Sequence, residues 1–346
     1  MKRLLIIIDG MDDEPVAVLG NRTPAQYADM EALTFMREHG SRQYVRSVPE
    51  GVEPATDTAL LTQLGYRITP DFCSRAWLEA LGNGINPGPA DLCLRCNLIN
   101  HDGQRLISHS AGHPGKVETK AYVEMLETIA DERFTVYDTG SYRSLLVIHN
   151  TPAQIYSIPP HKIIGSSLDF LKVSGTDKKT TDTINRFITE ARSLPAVGEI
   201  NGIAIWGAGR AFIPAFTIAG AVVTAVPVVK GIAKAVGMEV IEVNGATGDA
   251  STDYEAKLQA AIKAFDVHDF VLLHIEAPDE ASHARNPIEK VRILHDIDNR
   301  ILRPLLDISM PLQITVQADH GTSSVTGCHL AIPVEQIRYN SHLMYY

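Results

Sequence analysis

Asp269-Phe-Val-Leu-Leu-His-Ile-Glu-Ala-Pro-Asp-Glu-Ala-Ser-His283 is a short apolar run that empties into a loop of acids closed by a histidine. A run this brief and this apolar, bounded by a proline turn, reads as a strand buried on both faces. The same form occurs twice more. Residues 4–8 close on Asp9-Gly10, and residues 313–317 close on Ala318-Asp319-His320. Further strands at 202–206, 221–226 and 239–243 alternate with helical periods, clearest at 252–265 and 286–308. Regular alternation of this kind predicts an α/β fold, a mostly parallel sheet flanked by helices.

Toward the N-terminus the pattern predicts a helix over 25–38, a short strand at 45–48, a Gly/Pro loop over 51–57 and a helix over 58–64. Residues 68–198 have another character. Alternating runs at 91–99, 134–137 and 144–149 are separated by Pro/Gly turns, with helical periods only near 117–131 and 181–192. The expected organisation is a discontinuous domain, 1–67 with 199–346, interrupted by an inserted smaller α+β domain, 68–198.

Composition narrows the function classes. The 346 residues are 45% hydrophobic and 21% charged, which excludes a disordered, collagen-like or coiled-coil chain. Lys plus Arg number 31 against 41 Asp plus Glu, a net charge of −10 that argues against a nucleic-acid or anionic-membrane partner. A small anionic substrate stays compatible, because a local Arg cluster or bound cations reverse the field in a site. The N-terminal apolar run is shorter than the roughly 7–15 residues of a secretory core. Arg210, Pro214, Pro227 and Lys230 interrupt the apolar stretch 202–237, so it reads as core rather than as a membrane span. Cys73, Cys93, Cys96 and Cys328 form no disulfide framework. Cys93 and Cys96 stand three apart on a strand and so face opposite ways, as expected of structural thiols in a reducing cytoplasm.

Ligands of open α/β sheets bind beyond the carboxyl ends of the strands. There the chain places Asp9, then Asp279 with His283, then Asp319 with His320, and His329 nine residues on. Singly, Asp9 suits a turn, Asp279 a helix cap and His329 a structural role. Together, three carboxylates and three imidazoles match the needs of two divalent ions, with Mn²⁺ or Zn²⁺ suiting mixed O/N ligation better than Ca²⁺ or Mg²⁺. Two such ions about 3.5–4 Å apart stabilise both oxygens of a phosphoryl displacement. Thr56 and Thr58, where a loop becomes a helix, are candidate nucleophiles facing free N–H groups, and equally candidate N-caps.

Ile8-Asp-Gly10, Pro54-Ala-Thr-Asp-Thr-Ala-Leu-Leu-Thr-Gln-Leu-Gly-Tyr66, Leu94-Arg-Cys-Asn97, Gly245-Ala-Thr-Gly248, His274-Ile-Glu-Ala-Pro-Asp-Glu-Ala-Ser-His283 and Ala318-Asp-His320 together resemble the archaeal-type cofactor-independent phosphoglycerate mutases of the alkaline phosphatase superfamily. The likeness runs from residue 3 to about 334. It implies that Asp9, Thr56, Asp319 and His320 hold one metal, and Asp279, His283 and His329 the other. It implies that Thr56 takes the phosphoryl group of 3-phosphoglycerate and returns it to the 2-hydroxyl. Arg95, Asn97, Arg143 and Lys230 would engage phosphate or carboxylate, and the insertion would exclude water. Mn²⁺ is the implied metal, with Zn²⁺ or Co²⁺ as alternatives, and 2,3-bisphosphoglycerate is not required. Three departures stand out: Thr56 where Ser is usual, Ser282 where Gly is common, and Pro333-Val-Glu335 with an early end at Tyr346. The last is expected to leave a sheet edge uncovered and the second metal loosely held. A dimetal phosphatase or phosphodiesterase of the superfamily and a truncated, inactive homologue are the competing readings.

Overall fold

The computed structural model describes residues 1–341. The chain divides into two compact units, one made of Met1–Phe72 with the chain from Pro214 onward, the other of Cys73–Ile213.

The first unit is built on a seven-stranded sheet in the order Glu239–Ile241, Ala221–Val223, Phe270–Ile275, Lys2–Ile8, Leu312–Gln317, Val334–Asn340, Ser41–Val45. The first five are parallel, and Val334–Asn340 runs antiparallel to both its neighbours. Lys2–Ile8 is central because it is apolar on both faces. Leu4, Ile6 and Ile8 join a core with Tyr254, Leu258, Ile293, Leu294 and Met36, while Ile7 is equally buried on the opposite face. Each such side chain contributes about 1.5–3 kcal/mol by leaving water. Apolarity on both faces is what a parallel strand between two helix layers requires.

Several expectations are corrected. The helix expected over 25–38 is two pieces, Pro24–Tyr27 and Glu31–His39, because Asp29 adopts a left-handed φ of 52° between them. The early strand is Ser41–Val45, not 45–48; it is an exposed edge strand with no apolar alternation to mark it. The helix expected over 286–308 contains a π turn at Asp298–Leu302, where Pro304 removes a backbone donor and crowds the preceding turn. An uncovered edge was expected where the chain departs from the family near Pro333: there Val334–Asn340 pairs with Leu312–Gln317 and is flanked by Ser41–Val45, which leaves Ser41–Val45 as the exposed edge.

The largest correction concerns Gly202–Gly209, which was expected in the main sheet. It pairs antiparallel with Leu92–His101 and belongs to the second unit. Period two explains that unit's centre. Leu94, Cys96 and Leu98 face a core with Tyr122, Leu126, Ile184 and Phe187 from helices Lys116–Ile129 and Lys178–Ala191. Cys93 faces the other way, onto Ala76 and Ala80 of a helix, Arg75–Gly82, that the sequence pattern did not reveal. All four cysteines are free. No helix among the described residues is long and apolar enough to cross a membrane.

Helix Glu31–His39 has no capping side chain of its own. Instead the buried Asp298 carboxylate accepts from Ala32 and Leu33 N–H, both at 2.9 Å. Asp298→Ala is expected to cost about 1.5–3 kcal/mol, read as a lower urea midpoint; an unchanged midpoint would show the cap to be dispensable.

Candidate active site

Three neighbouring strands deliver the site. Asp9 follows Lys2–Ile8, and its N–H bonds to Ile275 O at 2.9 Å, so the main chain is still held to the adjacent strand. Phe270–Ile275 runs into helix Ala277–His283, where a spacing of four puts Asp279 and His283 on one face. Leu312–Gln317 runs into Asp319 and His320. His329 returns opposite Thr322 in a two-stranded pairing.

The structure brings these six side chains together. His283 Nε2 lies 3.0 Å from Asp279 Oδ2 and 3.1 Å from His329 Nε2, and His329 Nε2 lies 3.8 Å from Asp279 Oδ1. His320 Nε2 lies 3.3 Å from Asp319 Oδ2 and 3.8 Å from Asp9 Oδ1. Two sets meet the geometric needs of a cation: Asp279, His283 and His329, and Asp9, Asp279 and His320. The second set differs from the implied one, since Asp279 borders both positions. Ser282 donates its hydroxyl to Pro278 O at 2.8 Å, so the helix absorbs the residue that replaces the usual glycine.

Asp9 Oδ1, Asp319 Oδ2 and His320 Nε2 are buried without a hydrogen-bond partner among the described residues. Such atoms are costly unless something else satisfies them. Burial, then the charges of Asp319, Asp279 and Glu276, push the Asp9 carboxyl well above its usual range. Burial alone would also raise Asp279, but the His283 hydrogen bond and charge hold it below that range. A divalent cation removes both penalties, so the donor set fits one.

Thr56 opens helix Thr56–Gln63, and its hydroxyl makes no hydrogen bond among the described residues. Thr58 donates to Ala55 O and Glu53 O, which makes it the structural hydroxyl of the two. The Thr56 segment is fastened at both ends to the loops that carry His329 and Asp319. Pro54 O bonds His329 Nδ1 at 2.7 Å, and Gln63 Nε2 donates to Ala318 O at 2.8 Å and Asp319 O at 3.4 Å. Lys230 lies on helix Pro227–Val236, which packs against the Thr56 helix, and its Nζ is 2.6 Å from Glu242 Oε2.

The remaining three candidates gather within the second unit. Arg95 makes a two-point pair with Glu79 and lies 4.5 Å from the Trp206 ring. Burial opposes ionisation of Glu79, yet the Arg95 guanidinium holds its carboxyl at about 2. Trp206 Nε1 donates to Asn97 Oδ1 at 2.9 Å, and Asn97 stands opposite Arg143 across the sheet. Arg95 keeps further N–H donors and a ring-stacked face beyond those spent on Glu79.

Three participants escaped the sequence reading: Gln63, His274 and Thr322. His274 Nε2 lies 3.2 Å from Asp9 Oδ2, and burial lowers its imidazole to about 4. A histidine inside an otherwise apolar strand was its available signal. Gln63 and Thr322 carry none by themselves.

The family model described as 2,3-bisphosphoglycerate-independent phosphoglycerate mutase matches residues 38–201. The protein of that name from Methanosarcina mazei is 34% identical over 96% of this chain and 89% of its own. This chain belongs to that family. A solved structure of a Pyrococcus horikoshii protein superposes with a TM-score of 0.78 at 25% identity, over 98% of this chain and 87% of that one. The cofactor-independent phosphoglycerate mutase of Thermoplasma acidophilum gives a TM-score of 0.59 at 26% identity, over 99% and 91%. Enzymes of the family's name are isomerases that move a phosphoryl group within one molecule.

Burial would lower His283, but its hydrogen bond to Asp279 and that charge outweigh it and raise the imidazole to about 9. A cation needs that nitrogen unprotonated, so between pH 7 and 9 each cation taken up there displaces a proton. Apparent affinity should rise about tenfold per pH unit across this window. A pH-stat titration of metal-free protein with Mn²⁺ at pH 7 is expected to record at least about one proton released, the raised Asp9 carboxyl adding to the count where it is protonated. No release would mean His283 is already neutral.

Proposed function

We propose that this chain interconverts 3-phosphoglycerate and 2-phosphoglycerate through a phosphothreonine at Thr56. What supports this reading most is the meeting of the buried Asp9, Asp279, Asp319 and His320 with the more open His283 and His329, with ligand atoms left unsatisfied beside a helix that begins at an uncommitted hydroxyl. Asp9, Thr56, Asp319 and His320 would hold one divalent ion, and Asp279, His283 and His329 the other. Mn²⁺ is the ion that mixed carboxylate and imidazole ligation favours, with Zn²⁺ or Co²⁺ able to serve. When bound, the pair supplies charge for the phosphoryl oxygens and lowers the cost of ionising Thr56.

The chain's own groups perform the rest. Thr56 Oγ1 loses its proton and bonds to phosphorus as the bond from phosphorus to the C3 oxygen breaks, and the glycerate oxygen takes up a proton in exchange. The 2-hydroxyl of the same glycerate then loses its proton and attacks phosphorus, and the Thr56 oxygen leaves and is reprotonated, so no net proton is gained or lost. The N-terminus of the helix that Thr56 begins would face the phosphoryl oxygens. Arg95, Asn97, Arg143 and Lys230 bind the anionic groups of the substrate in this reading, which requires Lys230 to exchange Glu242 for substrate.

Mn²⁺-loaded protein coupled to enolase is expected to turn over 3-phosphoglycerate without added 2,3-bisphosphoglycerate. Inorganic phosphate appearing instead of 2-phosphoglycerate would make the protein a phosphatase. Thr56→Ala should lower the rate by at least about a thousandfold with metal content nearly intact. Thr56→Ser should keep activity, and Thr58→Ala should be far milder than Thr56→Ala. A reversed order of the two alanine variants would assign the wrong hydroxyl. Asp319→Asn should lose metal by elemental analysis.

A further inference from the structure

Thr322 lies two residues beyond His320, fully buried, on a main chain held from both sides. Its N–H donates to Asp12 O at 2.9 Å, and its carbonyl accepts from Lys290 Nζ at 2.9 Å. Lys290 is itself fixed by Asp13, at 2.9 Å, in a pair with no solvent exposure. The Thr322 hydroxyl is therefore aimed by the fold.

It touches both cation positions. Thr322 Oγ1 is 2.6 Å from Asp279 Oδ1 and 3.2 Å from His320 Nδ1. A hydroxyl has one proton, and the shorter contact, to a carboxylate that has none to give, claims it. Oγ1 then meets His320 as an acceptor, so Nδ1 carries the imidazole proton. Nε2 is left with its lone pair directed toward Asp9 and Asp319, where it has no hydrogen-bond partner among the described residues. The first strand's turn is shaped around this contact. Gly10 has φ of 64°, and a Cβ there would lie 2.9 Å from Thr322 Oγ1 and 2.9 Å from Asp279 Cα.

We propose that Thr322 is a positioning residue that sets the His320 tautomer and the Asp279 rotamer at once, so that the two cation positions load as a unit. The proposal rests on the two-cation reading of the site. Outer partners of this kind typically change metal affinity by about 10–100-fold when removed.

The experiment titrates the purified full chain with Mn²⁺, following free Mn²⁺ by electron paramagnetic resonance, in wild type, Thr322→Val and Thr322→Ser. Thr322→Val, which keeps the shape and loses the hydroxyl, should weaken uptake at both positions by about 10–100-fold. Thr322→Ser should stay near wild type. Two wild-type Mn²⁺ sites in Thr322→Val, or a weakening confined to one site, would overturn the proposal, as would a Ser variant no better than Val. Nitrogen-15 spectra of labelled histidines supply a test that needs no variant to fold: wild-type His320 should carry its proton on Nδ1, and the other tautomer overturns the proposal. A wild type that binds no Mn²⁺ at all would remove the two-cation reading, and this proposal with it.

Discussion

Asp9, Asp279 and Asp319 are carried to one place by three adjacent parallel strands, and all three are buried, so bulk solvent does little to dilute their charge. Like charges without solvent are a liability of several kcal/mol, and much of the neighbourhood answers it. His283 lends its proton to Asp279, His274 lies beside Asp9, and Asp319 takes the N–H of His320 at 2.8 Å. These contacts leave Asp9 Oδ1 and Asp319 Oδ2 unanswered. Such a defect at the carboxyl end of the central strands is what a ligand of opposite sign would satisfy.

Support for the cluster comes from segments distant along the chain. Pro54 steadies His329, Gln63 holds the carbonyls beside Asp319, and the buried Lys290–Asp13 pair braces the main chain at Thr322. All but the Lys290–Thr322 contact join an early segment to a late one. The site is thus a product of the finished sheet rather than of any local motif.

Apolar runs ending in acids made the three strands that lead to Asp9, Asp279 and Asp319 readable, because burial on both faces forces an unmixed composition. Asp279 and His283 were readable from their spacing on a helix. The misreadings have physical causes. Gly202–Gly209 is as apolar as a parallel strand because it too is buried, so composition could not tell which sheet takes it. Ser41–Val45 was displaced because an exposed edge strand has no face to mark. Lys290 looks like an ordinary surface lysine on a charged helix, and only the fold places it at zero exposure beside Asp13. Among the anion-binding candidates, the pairing of Arg95 with Glu79 joins a strand to a helix that the pattern did not show.

The interrupted first unit has a consequence for how the chain is made. Lys2–Ile8 is synthesised long before its two sheet neighbours, which begin at Phe270 and Leu312. At about 5–20 residues per second, the nascent strand spends tens of seconds without either partner, its apolar side chains open to other molecules. The second unit is contiguous and has its own core, so it is complete while that strand still waits. Chaperone demand in the cell should therefore fall on that strand and ease only once its two neighbours emerge.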